Sequence, residues 1–479
     1  MISEVGKGRD ISVAVFRGLS TDDKPTNVAN GAEFLEIDTG DIYFYNEDAS
    51  MWMKGGAVTP NAGDIKYDLN GTYGSGSIGL ALQNVEGLVN SLIDGEATPH
   101  TTLAEIHAIV QSGEARNVFR IGDQIVLKYN DGSDDYNLPW DIVHFGDVKL
   151  ADDSVVPGMF IQSHYAMQAV QFDQNEGFYV VPSGGLSAGT YHFTMGNNWG
   201  SNVVKDKVYQ FTLTESYSEG DIWQLGKQNS EVGALPDTSP SDWRVRTYKA
   251  SGSTPANSVA SASEIVSLSE GSGGTDLGTL SSSTLYGTSG LNNMQRSGYA
   301  YNRWGQSAIR QFLNSSAAAG AWYTPQNPYD RRPDQLSTMR GFMAGFEQEF
   351  LDIIKPIKVT TALNTISDTA IGTSETTVDT FFPASLEQEY IVPQLAGVEG
   401  VYWEYWKQRT GATAPQAQQG TYPKRIRYGY NAQGTAQTCR LRSAFRGSAY
   451  GTWIVYASGV VTNGYASSAH RCAPACVIC

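Results

Sequence analysis

Cys472, Cys476 and Cys479 stand at C-x3-C-x2-C, the spacing that holds a four-iron cluster in radical-SAM enzymes, and His470 beside them could complete a four-ligand zinc site. Cluster chemistry of that kind needs the triplet after an early strand of a barrel whose remaining strands bind the nucleotide, a context this stretch does not offer. Tetrahedral zinc ligation usually shows paired short spacings. The apolar CAPACVIC reads instead as a buried final strand whose thiols act as small hydrophobes. Gly74 to Gly79 spell G-S-G-S-I-G without the strand and helix of a dinucleotide site, and Gly185 to Gly189 spell a nucleophile elbow around Ser187 with no helix to follow. Both read as turns. The six histidines (His100, His107, His144, His164, His192, His470) are scattered, and the acidic pairs Asp134-Asp135 and Asp152-Asp153 fall in turns. No catalytic residue, no metal and no cofactor is expected.

The segment Cys439 to Cys479 interleaves Tyr, Trp, Phe, Asn, Ser and Thr with small residues on short strands and turns. Antibody paratopes use this mixture, with rigid aromatics supplying area and small polar groups adapting to the ligand, although an ordinary β-sheet also contains tyrosines. Charge is uneven as well. The formal charge is −16, yet from Val401 onward Lys407, Arg409, Lys424, Arg425, Arg427, Arg440, Arg442, Arg446 and Arg471 face one acid, Glu404. These arginines are expected to bind carbonyls and acids of the earlier chain rather than form an exposed anion site. The acidic total argues against nucleic acid as a partner. No stretch reaches the roughly 18 apolar residues of a membrane span, and no apolar run follows a basic head, so neither membrane insertion nor secretion is expected.

A chain of 479 residues exceeds one ordinary core, so two to four domains are expected, β-rich with a few helices. Residues 1–56 read as a small β module: Ile11, Val13 and Val15 alternate, AEFLEIDTGDIYFYN turns at Thr39-Gly40-Asp41, and Trp52 can cover one face. So small a module should bury itself against copies or a larger assembly. Residues 57–117 read as a connector and oligomerisation segment, with a capping box T-L-A-E starting a helix at Thr102 whose Leu103, Ile106 and Val110 share a face. That helix could line a symmetry axis or make a plain intrachain contact.

Strand patterns then run from Val118 to Leu225, one antiparallel unit or the first half of a larger one. A Ser/Gly-rich insertion at 251–290 reads as a long surface loop, partly ordered. Two helices are predicted after it, YNRWGQSAIRQFLNS and STMRGFMAGFEQEFLDII, with aromatic stripes facing the core.

At its C-terminal end the sequence resembles phage and prophage proteins of the C-type-lectin fold whose ends are diversified by retroelements, the major-tropism-determinant kind. The resemblance rests on R-L-R-S (Arg440 to Ser443), A-Y-G-T-W-I-V-Y-A-S-G around Trp453 and S-S-A-H-R-C-A-P-A-C (Ser467 to Cys476). Upstream, FRIGDQI, NRWGQSAIRQFLNS and FFPASLEQEY look like segments of the same family, spanning most of 118–479. It implies an α+β, β-rich protein: a C-type-lectin-like C-terminal domain at 118–479 with a recognition surface at 440–471. By position, Arg440, Arg442, Trp453 and Arg471 look like framework. Phe445, Ser448, Tyr450, Thr452, Ile454, Tyr456, Val461, Asn463, Tyr465 and His470 look like ligand contacts.

The hairpin FLEIDTGDIYFYNEDASMW looks like small N-terminal modules of phage structural proteins. The resemblance therefore implies a homotrimeric adhesin, made in the bacterial cytoplasm and carried on the capsid or tail surface of a virion. Its partners would be other virion proteins and a host cell-surface protein or glycan. A fibre or decoration protein that binds only virion proteins is the alternative. Formylglycine-generating enzymes share such a scaffold, but no enzyme site is expected here.

Overall fold

The structure is a computed structural model. It describes residues 14–47, 49–55, 102–198, 204–227, 243–249, 262–283 and 290–479, together with the backbone of Ser3–Lys7, Lys66–Tyr67 and Gly76–Ser77. About 39% of the chain is strand and 14% helix, a β-rich α+β composition. The chain divides into two compact units, Met1–Ile93 and Asp94–Cys479. No helix among the described residues is long and apolar enough to cross a membrane.

In the N-terminal unit five strands lie side by side in chain order: Ser3–Lys7, Ala14–Gly18, Glu33–Glu36, Ile42–Asn46 and Met51–Lys54. The hairpin between the third and fourth turns at Gly40, whose φ of +76° suits a residue without a Cβ. Trp52 packs on Phe16, Phe34 and Tyr45 at ring separations of 6.3, 5.7 and 5.4 Å and donates its indole N–H to the Pro25 carbonyl at 2.7 Å. One aromatic thus supplies much of the core of a sheet too small to bury many. Its other face leaves Ile42, Phe44, Met51 and Met53 exposed, with Phe44 and Met53 directly opposite each other across the strands. Most of the 57–101 stretch, including most of the Gly74 to Gly79 motif, lies outside the described residues.

The larger unit starts its described part with the helix Leu103–Gln111, capped as the sequence predicts by reciprocal bonds between Thr102 and Glu105. It belongs to this unit and not to a separate connector, because Ile106 and Val110 are buried in the same core as Trp140, Phe160 and Ile478. The strands Gln124–Asn130, Asp135–Lys149 and Val155–Ser163 form a meander. The last strand, Pro474–Ile478, adds antiparallel to Val155–Ser163, and Phe382–Pro383 pairs on its far side. A second sheet runs in the order Val170–Gln171, Ala469–Cys472, Cys439–Ala444, Gly451–Val455, Val460–Tyr465, Gly420–Thr421.

Between Phe178 and Met294 the chain leaves this body to build a two-sheet sandwich with its own core. One sheet holds Tyr179–Val180, Ile222–Lys227, Trp243–Tyr248 and Glu264–Ser267; the other holds Ser269–Glu270, Val208–Leu213, Gly189–Met195 and Thr275–Leu280. Phe178, Phe193, Phe211, Trp223 and Trp243 fill the space between. The strand patterns of 118–225 therefore belong to two bodies, not one. The stretch read as a surface loop contributes three strands, with Leu268, Leu277 and Leu280 buried at their ends and middle. Residues 251–261 and 284–289 of it lie outside the described residues. The Gly185 to Gly189 motif follows a turn at Ser183–Gly184 and is not itself one: Leu186 bridges Tyr217 and Gly189 opens the strand Gly189–Met195.

The two long helices are also shorter than their stripes suggest. Trp304–Gln306 is a single 3-10 turn, and Ser307 caps a new helix, Ala308–Leu313, by accepting from the Arg310 N–H. Phe342–Gly345 is likewise a 3-10 turn before Gln348–Ile353. At Gly345 the backbone passes so close to Tyr129 that a Cβ would strike the ring. The stripes still face the core: Trp304, Phe312, Phe342, Phe346 and Phe350 are all buried. Hydrophobic periodicity located the buried residues correctly, while caps and close contacts set where the helical turns stop.

Candidate recognition surface and its arginine framework

The positively charged end of the chain is clamped inward. Arg442, 1% exposed, donates to the carbonyls of Pro383, Thr360 and Glu399 at 3.1, 3.3 and 2.6 Å and to the Gln388 and Thr361 side chains. Arg427 holds the Ser163 and His164 carbonyls at 2.7 and 2.9 Å, and Arg446 holds that of Leu363 at 2.8 Å. Arg425 pairs with Glu389 at 3.5 Å, and Arg471 reaches the Ala166 and Met167 carbonyls. These arginines bind backbone carbonyls and, at Glu389, an acid of the earlier chain, as the sequence led us to expect. Burial pulls the Arg442 and Arg425 guanidiniums down to about 10, so both remain charged near neutral pH.

Arg440 has the same role beneath the candidate surface. It is fully enclosed, bonds the Thr452 hydroxyl, and donates to the carbonyls of Tyr465 and Ser468 at 3.0 and 2.7 Å. Trp453, 1% exposed, lies on the opposite face with Leu441, Val455 and Val461. Arg440, Arg442 and Trp453 are thus buried, and the half-buried Arg471 is anchored to backbone.

The ten predicted contact residues do not form one patch. Ser448, Thr452, Ile454 and Val461 are buried and cannot touch a large ligand. The strand Gly451–Val455 sits inside the second sheet with both faces covered, so the usual alternation of inward and outward residues fails there. Tyr456 is exposed, but it occupies the turn at the far end of that strand, roughly 20 Å along the chain direction from Tyr450. Phe445 is half-buried edge-on against Trp453. Asn463 and His470 are half-buried on strands neighbouring this region.

What does gather is a cluster of three tyrosines. Tyr465 stacks on Tyr299 with ring centroids 4.3 Å apart and planes at 24°, and Tyr450 lies 5.0 Å from Tyr299 and 5.6 Å from Tyr465. Tyr465 is 46% exposed, while Tyr299 and Tyr450 are half-buried, so the cluster is fixed beneath and open above. Tyr299 ends the helix Met294–Tyr299, and the Asn293 side chain caps that helix. Ser467 N–H donates to the Tyr299 carbonyl at 3.0 Å, and Ala466 N–H to that of Tyr450 at 2.8 Å. The Asn302 amide, wholly buried, donates to the carbonyls of Ser448 and Gly451 at 2.9 and 2.8 Å and so shapes the turn before Tyr450. Sequence reading missed Tyr299 and Asn302. Both sit about 150 residues before their partners, and nothing local marks them.

Three preordered rings, one exposed and two half-buried, offer area at little entropic cost. A neutral imidazole stands on a neighbouring strand, because burial and Arg440 pull His470 down to about 4. The four cysteines are all buried and unpaired, and burial raises their thiols, that of Cys439 to about 12.

A family model described as a domain of unknown function (DUF6273) matches residues 280–479. No curated protein and no solved structure matches the chain. The matched segment begins at the last residue of the sandwich strand Thr275–Leu280 and contains all three tyrosines and the arginine framework.

Proposed function

We propose that the protein is a bacteriophage particle component that recognises a host-surface protein or glycan through its C-terminal end, on a C-type-lectin-like scaffold. The observation that carries this reading is the tyrosine cluster Tyr299, Tyr450 and Tyr465, rigid below and exposed above. Pairing of the early strand Val155–Ser163 with the final strand Pro474–Ile478 fits a lectin-like body whose two chain ends meet. The exposed apolar face of the N-terminal sheet, Ile42, Phe44, Met51 and Met53, fits attachment to other particle proteins. Trimeric display would turn weak single contacts into avid ones.

The same apolar face also suits a fibre or decoration protein, in which the tyrosines would be covered within the particle. Binding of the purified protein to candidate host cells, with and without Tyr450→Ala and Tyr465→Ala, separates the two. The recognition reading expects at least a tenfold loss of binding with Tm unchanged. Equal binding by the variant refutes the site, and docking to particles without host binding favours the structural role.

A further inference from the structure

Beneath the tyrosine cluster, Asp173, Glu176 and Asp330 each place one carboxylate oxygen within 4.8 Å of the others, and all three residues are buried. Calcium binds oxygen at about 2.3–2.6 Å, so ligands on opposite sides of one ion stand close to 4.8 Å apart. We propose that these three carboxylates hold a divalent cation, calcium by its chemistry, and that the ion fixes the backbone supporting the tyrosines.

Most of the cluster's hydrogen-bonding capacity is arranged around this point without filling it. Glu176 is bracketed by Arg296, with two contacts of 2.7 Å, and by Asn292 at 2.5 Å. Asp330 accepts from the Gln326 and Asn327 backbone, and the Asn327 amide bridges it to Glu176 at 2.6 and 3.0 Å. Asp173 accepts through one oxygen from the Gln174 N–H at 3.0 Å; its other oxygen, in a side chain 1% exposed, has no partner. The Tyr323 hydroxyl, in a residue 7% exposed, stands beside Asp330 in the field of Asp330, Asp173 and Glu176. An enclosed carboxylate oxygen without a hydrogen-bond partner, inside an acidic cluster, is an atom that a bound cation would satisfy.

Charge points the same way. Arg296 pairs with Glu176 at 2.7 Å, and among the described residues neither Asp173 nor Asp330 has a salt bridge. A divalent ion cancels the two excess charges without protons. The all-oxygen set, with no sulfur or imidazole, selects a hard cation.

The cluster is tied to the surface above it. Phe172 and Asp173 N–H groups donate to the Ala466 carbonyl at 3.0 and 3.2 Å, next to Tyr465. Asn175 donates to the Gly298 carbonyl at 2.6 Å, next to Tyr299. The cation claim itself does not rest on the recognition reading: metal content and thermal shift test it alone, and host binding tests the other.

The experiment uses the full chain, measuring metal content by mass spectrometry and Tm before and after chelation, then with calcium restored. The expected result is about one divalent ion per chain, a Tm lowered by several degrees on chelation and recovered by calcium, and neither response in Asp173→Asn. In case that variant folds poorly, terbium added to chelated wild-type protein provides a second readout. It should show tyrosine-sensitised emission that calcium displaces and Tyr323→Phe weakens. No bound ion, with Tm and terbium emission indifferent to calcium, would overturn the proposal and leave the carboxyls sharing protons.

Discussion

Replacing Arg296 by methionine tests the buried electrostatics most directly. Arg296 and Glu176 are both fully enclosed, joined by two bonds of 2.7 Å, and the guanidinium also lies 3.6 Å over the Tyr301 ring. Methionine keeps much of the apolar volume and removes the charge. It strands Glu176 in a low-dielectric site, which typically costs about 3–5 kcal/mol. Loss of the desolvated cation–π contact adds about 1–2 kcal/mol. R296M should therefore destabilise the larger unit by about 4–7 kcal/mol in urea unfolding, measured in chelator so that no cation offsets the stranded carboxylate. The double variant R296M/E176Q should recover part of that loss, with a coupling energy of about 2 kcal/mol or more. A cost below about 1 kcal/mol, or strictly additive effects, would refute the reasoning, because the pair would then be solvated or absent.

Two further outcomes follow from burial. The thiols of Cys439, Cys472, Cys476 and Cys479 are enclosed and held protonated, so a disulfide reagent should label none of them in the native protein and all of them in denaturant; rapid native labelling of Cys472 or Cys476 would contradict the packing of the last strand. His470 falls to about 4 from its ordinary 6.5, so between those values the unfolded chain carries the extra proton. Its contribution to stability is complete above about pH 6.5 and is lost as pH falls toward 4. Histidine NMR should place its titration near pH 4, and His470→Gln should flatten the acid limb of the stability curve; an ordinary midpoint would mean that the ring is solvated.

Much of the architecture could be read from local signals. The turn at Gly40, the capping box at Thr102 and the alternating strands of the 124–163 meander each show in residues close together in the sequence. The inward-facing arginines were legible from charge imbalance alone. The sandwich strands at Glu264–Ser267 and Thr275–Leu280 were hidden because polar edge strands gain their order from pairing, not from propensity. The contact assignments at Thr452, Ile454 and Val461 failed for a related reason, since which face a strand exposes depends on what covers it. Tyr299 beside Tyr465, and Asp330 beside Asp173, meet only through the fold.

The strand Pro474–Ile478 lies inside its sheet, yet its partner residues in Val155–Ser163 are synthesised about three hundred residues earlier. On the ribosome the meander must therefore wait with a bare edge, and the core around Trp140 stays open until Pro474–Ile478 emerges. Folding of this body is completed only after residues 474–478 have left the ribosome. A chaperone that shields the edge of Val155–Ser163 during synthesis, or a nascent chain stalled before residue 474, gives direct access to the half-built sheet.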